Sequence, residues 1–551
     1  VKSDQIHTES VIDNVYCLLR EDLIDVPEWR RWFTPRGYTG PGIFDASPAW
    51  FKRITQVRDF YKRITLISDP THDELSATCL SDFKTAQSGF GIAEPESEIT
   101  KRVLREAARL IKDVLGSYDI GEHAALCTWG KRAAFGLTAA TSYLENRVKK
   151  LTYSGEQLEY FLVMASCDPQ LLYSVQDALT KGNLVETSHL GLSTVPKSYK
   201  AVRVIGPDTI LGGFISKGLG KLVQLRLAQN AHIDIRHAQD RHKDLARKGS
   251  IDGSLCTLDM SKASDSFTWE HIKALMPPDW LHVLSVVRTD AVLVPGEDVP
   301  MPLTSYMLMG SGHTFPLQTL LFWSMVQAVV NLMGEKRSKV YVYGDDIIAT
   351  SKYASQICVS LQKLGFTLNA DKSFVDGSFR ESCGGDYHTG VDVRPHLPEH
   401  VTRLATTTEV LALIHSLANG LTERWATSDI PKTYAYLIEL ASSLDSEKCI
   451  CKVEADAPDY AGFRLVSFHD YGRIAVRYSS ALQRAEFRSL KMRSQKRRIS
   501  NGAAYYWRWL HGSSLVEILI GDPYDPDATT QGGFGEEGKK GCGHRYRWAW
   551  A

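Results

Sequence analysis

Two adjacent carboxylates at the tip of a tight hairpin constrain this chain more than any other feature. Lys339-Val340-Tyr341-Val342-Tyr343 reads as one strand, apolar and β-branched or aromatic, and Ile347-Ile348-Ala349-Thr350 reads as the next. Gly344 permits the tight turn between them. Side chains alternate across a strand, so Asp345 and Asp346 need not do the same job. One can hold a divalent cation while the other braces it or holds a second. As a string, Gly-Asp-Asp is only moderately specific, and an Asp-rich hairpin turn is the plain alternative. The rest of the chain has to decide.

At 551 residues, with 43% hydrophobic and 23% charged side chains, the chain has the make-up of an ordinary soluble globular protein of two to four subdomains. Its 64 basic and 64 acidic residues cancel, which argues against a uniformly cationic coat but allows a basic channel offset by an acidic exterior. Ten scattered cysteines suit reduced thiols in a cytosolic setting. Cys449, Cys451, Cys542 and His544 do not complete a four-ligand zinc pattern. The polar start Val1-Lys2-Ser3-Asp4-Gln5 lacks a signal-peptide pattern. Residues 317–333 are apolar but broken by Gln318, Ser324, Gln327 and Asn331, so they read as a buried helix rather than a membrane span.

Residues 1–95 mix short apolar runs with turn signals such as Pro35-Arg36-Gly37 and Gly40-Pro41-Gly42. Pro95 then opens a helix with Ile99, Val103, Ala107, Leu110, Ile111 and Val114 on one face, and Gly116 ends it. The stretch 117–250 is mixed and turns basic towards its end. From 255 to 393 the pattern runs strand, helix, helix, strand, strand, helix, hairpin. Within it, 313–330 reads as a long buried helix, and Ser351 as the cap of a helix carrying Ile357, Leu361 and Leu364. This order suits an α+β fold, an antiparallel sheet backed by helices on one face. Beyond 400 the reading is mainly helical through the cationic run 484–498. The tail from 521 is rich in Gly, Pro and Asp and reads as loose, closing on Tyr546-Arg547-Trp548-Ala549-Trp550.

Phosphoryl transfer with two metals needs carboxylates from separate elements around cations about 3.5–4 Å apart. The strand 255–258 ends at Asp259, 86 residues before Asp345, and supplies the missing partner. Taken alone, Asp259 reads as a strand-end turn residue. Asp265 lies in a polar turn where a carboxylate can reach a sugar hydroxyl. Met309-Gly310-Ser311-Gly312-His313-Thr314 is a glycine-flanked loop whose backbone amides can follow a template strand or a ribose. A helix-leading turn is its plainer reading.

Taken together these strings resemble polymerase motifs A to D: residues 259–266, 309–315, 343–346 and Asn369-Ala370-Asp371-Lys372-Ser373 occur in that order. Ala263-Ser264-Asp265-Ser266, Phe379-Arg380-Glu381-Ser382-Cys383-Gly384 and Gly390-Val391-Asp392-Val393-Arg394 sharpen the likeness. From about 190 to 400 the chain is similar to the replicase subunit of the leviviruses, the small positive-strand RNA phages. The resemblance implies a right-hand polymerase of fingers, palm and thumb, with the antiparallel palm sheet backed by helices. The domains are then 1–95, an N-terminal buttress to thumb or fingers; 96–250, fingers with part of the palm; 251–400, palm; 401–520, thumb and a basic helical region; and 521–551, a tail.

The resemblance also implies roles. Asp259, Asp345 and Asp346 are the catalytic carboxylates and, with Met260, the metal set for two Mg²⁺ ions, with Mn²⁺ as a substitute. Asp265 with Ser311 senses the ribose 2′-hydroxyl, with Gly312 beside them. Some relatives carry Asn where Ser311 stands. Lys372 is the general acid for the leaving pyrophosphate, a role typically worth about 10²–10⁴ in rate. Without the resemblance it reads as a solvated loop lysine.

Lys197, Lys200 and Arg203 sit on what reads as one extended basic strand stiffened by Pro196, suited to a triphosphate, with a solvated strand face as the alternative. Lys217, Lys221 and Arg226 suggest only a general template path. Gly310, His313 and Thr314 are candidate RNA contacts. So are Arg484, Arg488, Lys491 and Arg497 in the densest cationic run, with Tyr505-Tyr506-Trp507-Arg508-Trp509 nearby for stacking unpaired bases. A solvated helix face packed on a protein partner competes for that run.

The function expected is an RNA-directed RNA polymerase copying single-stranded RNA from NTPs in the cytoplasm of a bacterial host, with no membrane. Host elongation factors Tu and Ts and a ribosomal protein are partners implied by the resemblance. A reverse transcriptase shares the carboxylates, but Gly344 and the polar 259–266 loop weigh against it. A non-catalytic RNA-binding protein is the rival from another class, and the three intact carboxylates weigh against that.

Overall fold

The computed structural model describes residues 6–493, apart from 35–36, 41, 66–70, 131–132, 139–143, 336–337, 400, 402–403, 445–450, 454–455, 465–475 and 480–483, together with 545–550. Its centre is a four-stranded antiparallel sheet. Strand order across it is Tyr341–Tyr343, Asp346–Thr350, Leu255–Ser261 and Thr367–Leu368. Directly opposed residues share a face, and faces alternate along each strand. Val342, Ile347 and Leu258 therefore lie on one face, and Tyr343, Asp346 and Asp259 on the other.

The first face is buried in the larger hydrophobic core. Helices Thr314–Leu332 and Ala354–Lys363 close over it, and Glu98–Leu115 packs on them in turn. Thr314–Leu332 is apolar on nearly every side because it is surrounded by protein. By length and composition it could cross a membrane, yet 78% of its apolar window is buried inside the fold. Helix 98–115 ends as expected at Gly116, in the left-handed region (φ 61°), but Ile99 faces solvent instead of joining its buried stripe.

The other face is only partly covered. Helix Ala238–Asp252 lies against it, with the Arg241 guanidinium 4.6 Å from the centre of the Tyr341 ring and the His242 ring 6.1 Å from that of Tyr343. Hairpin Phe379–Ser382 with Gly385–His388 packs beside that helix. Helices therefore contact both faces, and the open part is the end that carries the aspartates.

A second core joins the two ends of the chain. Helices Thr8–Leu23 and Pro48–Asp59 pack with Thr407–Thr422 and Pro431–Leu444, and strand Ile6–His7 pairs with Leu404–Ala405. Helix His72–Gln87, opened by a Thr71–Glu74 capping box, packs instead on the strand pair 193–205.

Three local expectations change. The cationic run is a strand, Arg484–Arg493, rather than part of a helical region, and it pairs antiparallel with Arg545–Trp550. Arg545-Tyr546-Arg547-Trp548-Ala549-Trp550 alternates with period two and is rich in aromatics, so the closing stretch satisfies its backbone as an edge strand instead of a loose tail. Ser351 does not cap the helix after it: a short 3₁₀ turn, Ser351–Tyr353, intervenes, and the Ser351 hydroxyl is buried without a hydrogen-bond partner.

Candidate active site

The sheet brings the three aspartates together from two elements. Asp346 and Asp259 are direct cross-strand partners on the open face, and Asp345 stands exposed at the hairpin tip. Opposed Cβ atoms in such a pair lie about 4.5–5.5 Å apart, so the like charges repel. Burial, then the neighbouring Asp345, pushes the Asp346 carboxyl up to about 6. Burial also raises Asp259, which the Lys372 ammonium partly offsets.

Donors that the sequence did not single out hold these carboxylates. Asn369 Nδ2 donates to Asp259 Oδ2 at 2.7 Å, and the Asp259 amide donates to Ser373 Oγ at 3.0 Å. The Ser382 hydroxyl donates to Asp346 Oδ1 at 3.4 Å and the Cys383 thiol to Oδ2 at 3.5 Å. Buried His242 stands behind Ser382, its Nδ1 3.0 Å from the hydroxyl. Asn369, Ser382 and Cys383 lie inside the quoted strings, but nothing in those strings aims them at an aspartate.

An all-oxygen set of three carboxylates, in which the Asp345 charge helps raise both Asp259 and Asp346, suits a hard divalent cation. Among the described residues, no three His, Cys, Asp or Glu side chains converge at ligating distance. The hydrogen bonds above give the reason: Asp259 is turned to Asn369, and Asp346 to Ser382 and Cys383. Met260 cannot add its thioether, because strand alternation buries that side chain in the core; only its backbone remains.

The basic segment is a hairpin, not one strand. Ser193–Ser198 pairs with Ala201–Ile205, with an irregularity between Pro196 and Ser198. Lys197 is in electrostatic reach of the aspartates, with Arg203 close to it: loss of solvent, then the charges of Arg203 and Lys372, lowers the Lys197 pKa, while Asp259 and Asp345 pull it back. Lys200 sits at the turn instead, its ammonium 5.0 Å from the centre of the Tyr199 ring. The turn separates it from its neighbours, which sequence spacing alone did not reveal.

Loop 309–314 is pressed against helix Ile210–Asn230 rather than open to a strand of RNA. His313 and Thr314 are buried, and Thr314 Oγ1 donates to the Leu308 carbonyl at 2.9 Å, so neither side chain is placed to contact RNA. Gly310 and Gly312 are exposed. Ser311 Oγ is 2.8 Å from His313 Nδ1. Asp265 hydrogen-bonds Ser264, and burial pushes it up to about 6. Arg226 is engaged by Glu122 at 2.6 Å, and Lys221 donates to Thr128 at 3.1 Å. Arg484, Arg488 and Lys491 lie on strand 484–493, while Arg497 and residues 505–509 fall outside the described residues.

Known proteins resemble this chain in sequence. Residues 92–514 match the family described as RNA replicase, beta-chain. The RNA-directed RNA polymerase beta chain of Escherichia phage MS2 is 31% identical over 348 residues, 61% of this chain and 61% of its own length. The corresponding subunit beta of Enterobacteria phage SP is 36% identical over 247 residues, 45% of this chain and 41% of its own. That of Escherichia virus Qbeta is 35% identical over 236 residues, covering 43% and 38%. Each match thus spans less than two thirds of the relative's length. Among solved structures, the RNA-dependent RNA polymerase of a human picorbirnavirus aligns with 77% of this chain and 90% of its own at 13% identity; its TM-score of 0.37 is too low to bear on the fold. The family match runs through the hairpin, its opposed strand and the basic segment alike, and the chain belongs to the RNA replicase beta-chain family.

Proposed function

We propose that this chain is the catalytic subunit of a phage replicase, an RNA-directed RNA polymerase that copies single-stranded RNA from NTPs. The observation that carries the reading is the cross-strand pairing of Asp346 with Asp259 beneath Asp345, in electrostatic reach of Lys197 and Lys372. Acidic and basic groups gathered at one sheet end suit a reaction in which an RNA 3′-hydroxyl attacks the α-phosphate of an NTP and pyrophosphate leaves.

Asp259, Asp345 and Asp346 would hold two divalent cations, Mg²⁺ or Mn²⁺, which supply a lower pKa for the attacking hydroxyl and charge stabilisation for the pyrophosphate. Lys197 and Arg203 bind and orient the triphosphate. Lys372 holds, at Nζ, the proton that the leaving pyrophosphate takes up. Asn369, Ser382 and Cys383 keep the carboxylates aimed. Residues 251–400 correspond to a palm, 96–250 to fingers and 401–520 to a thumb that shares its core with the N-terminal helices. Arg484, Arg488 and Lys491 supply charge for the RNA backbone. The working complex adds host elongation factors Tu and Ts and a ribosomal protein in the bacterial cytoplasm.

The test is incorporation of labelled NTPs on single-stranded RNA with Mg²⁺, with and without bacterial lysate. Asp345→Asn abolishes nucleotide addition and leaves RNA binding nearly intact. Synthesis at the wild-type rate by that variant sinks the assignment, and a preference for dNTPs would move it to a reverse transcriptase.

A further inference from the structure

Helix Ala238–Asp252 is fastened at both ends to the sheet and its neighbouring hairpin. At the far end the Gly390 amide donates to Ser250 Oγ at 2.9 Å, and Arg247 Nε donates to the Gly390 carbonyl at 3.1 Å. At the near end Gln239 Nε2 donates to the Tyr343 hydroxyl at 2.8 Å. Between them a Cβ on Gly249 would stand 2.7 Å from the Leu255 carbonyl oxygen, so the helix backbone lies directly on the strand that carries Asp259. His242 follows Gln239 by three residues and shares its face. Its side chain is buried, and its Nδ1 is 3.0 Å from the equally buried Ser382 hydroxyl. That hydroxyl in turn reaches Asp346 Oδ1 at 3.4 Å.

Ser382 has one hydroxyl proton and three neighbours that can accept it: Asp346 Oδ1, Cys383 Sγ at 3.8 Å and His242 Nδ1. Burial, then the Arg241 charge, holds His242 neutral, its pKa down to about 4, so the ring carries a single N–H. With that hydrogen on Nδ1, Ser382 accepts it and gives its own proton to the carboxylate, the strongest acceptor of the set. The other tautomer draws the Ser382 proton to the ring and sets a hydroxyl lone pair against an ionised carboxylate. The Nδ1–H form is the one that satisfies all three groups.

We propose that His242 is a positioning residue for the divalent cation: its Nδ1–H turns the Ser382 hydroxyl towards Asp346 and so keeps that carboxylate aimed at the open end of the sheet. The inference rests on the polymerase reading above and adds to it a residue from outside the four strings, carried in by helix 238–252. A group that orients a metal ligand from behind is typically worth about 10–100-fold in metal affinity. A histidine needed only to fill the space could be replaced by an apolar side chain. Leu at 242 fills much of the volume and donates nothing, whereas Asn offers an N–H close to where the imidazole has one.

The experiment uses the full chain at pH 8 and has two readouts: binding of Mn²⁺ alone, followed by electron paramagnetic resonance, and the Mg²⁺ dependence of NTP incorporation on single-stranded RNA. His242→Leu is expected to weaken Mn²⁺ binding about tenfold and to raise the half-saturating Mg²⁺ concentration by the same factor, with KM for NTP at saturating Mg²⁺ unchanged. Ser382→Ala should lose as much, and the double variant no more than either single one, because the two act through one chain of hydrogen bonds. His242→Asn should restore most of the affinity. A loss in the Asn variant as large as in the Leu variant would mean that packing alone matters and overturn the proposal. Where His242→Leu melts below the assay temperature, Ser382→Ala decides: wild-type Mn²⁺ affinity in it overturns the proposal. A wild-type chain that incorporates no nucleotide defeats the polymerase reading itself. Incorporation with a Mn²⁺ affinity indifferent to every variant defeats this inference alone.

Discussion

A Cβ on Gly344 would lie 2.4 Å from Cε2 of Phe315, which closes the Asp345–Asp346 hairpin against the start of the long core helix. Gly344 also has φ 64°, and its amide donates to Thr319 Oγ1 at 3.0 Å, one turn further along that helix. The aspartate tip is therefore gripped from below by helix 314–332. Gly344→Ala incurs about 1–2 kcal/mol for the left-handed backbone and in addition displaces the ring. Incorporation should fall at least tenfold and the melting temperature by a few degrees. Phe315→Ala in the same chain should recover part of both. If the double variant is no better than the single one, the ring contact is not the cause.

Asp346 has a raised pKa, and the sign of its effect on stability follows. Its stabilising contribution to the metal-free fold is complete below the ordinary carboxyl value and is lost as pH rises through about 6. At pH 8 the ionised group opposes folding, being buried next to Asp345 and opposite Asp259. Without divalent cations, Asp346→Asn should raise the melting temperature at pH 8 and leave it unchanged at pH 4, where both side chains are neutral. Added Mg²⁺ should stabilise the wild type at pH 8 and hardly at all at pH 5, since protons compete for the same oxygens. A fall in melting temperature for the Asn variant at pH 8 would contradict this.

Cys383 provides a chemical readout of the same corner. Burial and then the Asp346 charge push its thiol well above the usual range, and the thiolate is the form that alkylates. Iodoacetamide at pH 8 should label the exposed Cys17 and Cys167 first and Cys383 much later, as read by peptide mass spectrometry. Prompt labelling of Cys383 would mean that its thiol does not point at Asp346.

Arg380 is buried and directs its whole guanidinium at backbone carbonyls. Nε donates to Leu255 at 2.7 Å, Nη1 to Phe379 and Gly377 at 2.7 and 2.9 Å, and Nη2 to Val375 at 2.7 Å. It thereby ties the strand carrying Asp259 to the hairpin carrying Ser382. A lysine keeps the charge but cannot span this fork. Arg380→Lys should destabilise the chain by about 2–4 kcal/mol, seen as a lower melting temperature, with KM for NTP little changed in the protein that remains folded.

The parts legible from residues alone were those that rest on local backbone chemistry. Val340, Val342 and Ile347 mark strands by composition, Gly344 marks the turn by conformational freedom, and the largely apolar run 317–330 marks a buried helix. Spacing of carboxylates on separate elements then pointed to a metal-dependent phosphoryl transfer, and the order of four strings pointed to a polymerase family. Where the reading failed, local signals were ambiguous. The 195–203 segment has strand propensity throughout, and only pairing of Val195 with Arg203 shows that it folds back on itself. The 484–493 run is charged enough for a solvated helix, and only its pairing with Val476–Ser479 and with the alternating tail 545–550 shows it to be a strand.

The tertiary structure alone decided which groups surround the chemistry. Register places Asp346 opposite Asp259, a relation between residues 87 apart that no short-range pattern encodes. Packing buries His313 and Thr314. The physical reason is one of range. Propensity, periodicity and turn chemistry act over a few residues and are written in the chain itself. Burial, charge repulsion and hydrogen-bond direction depend on what the fold carries in from elsewhere, and they decide which of the candidate side chains can act.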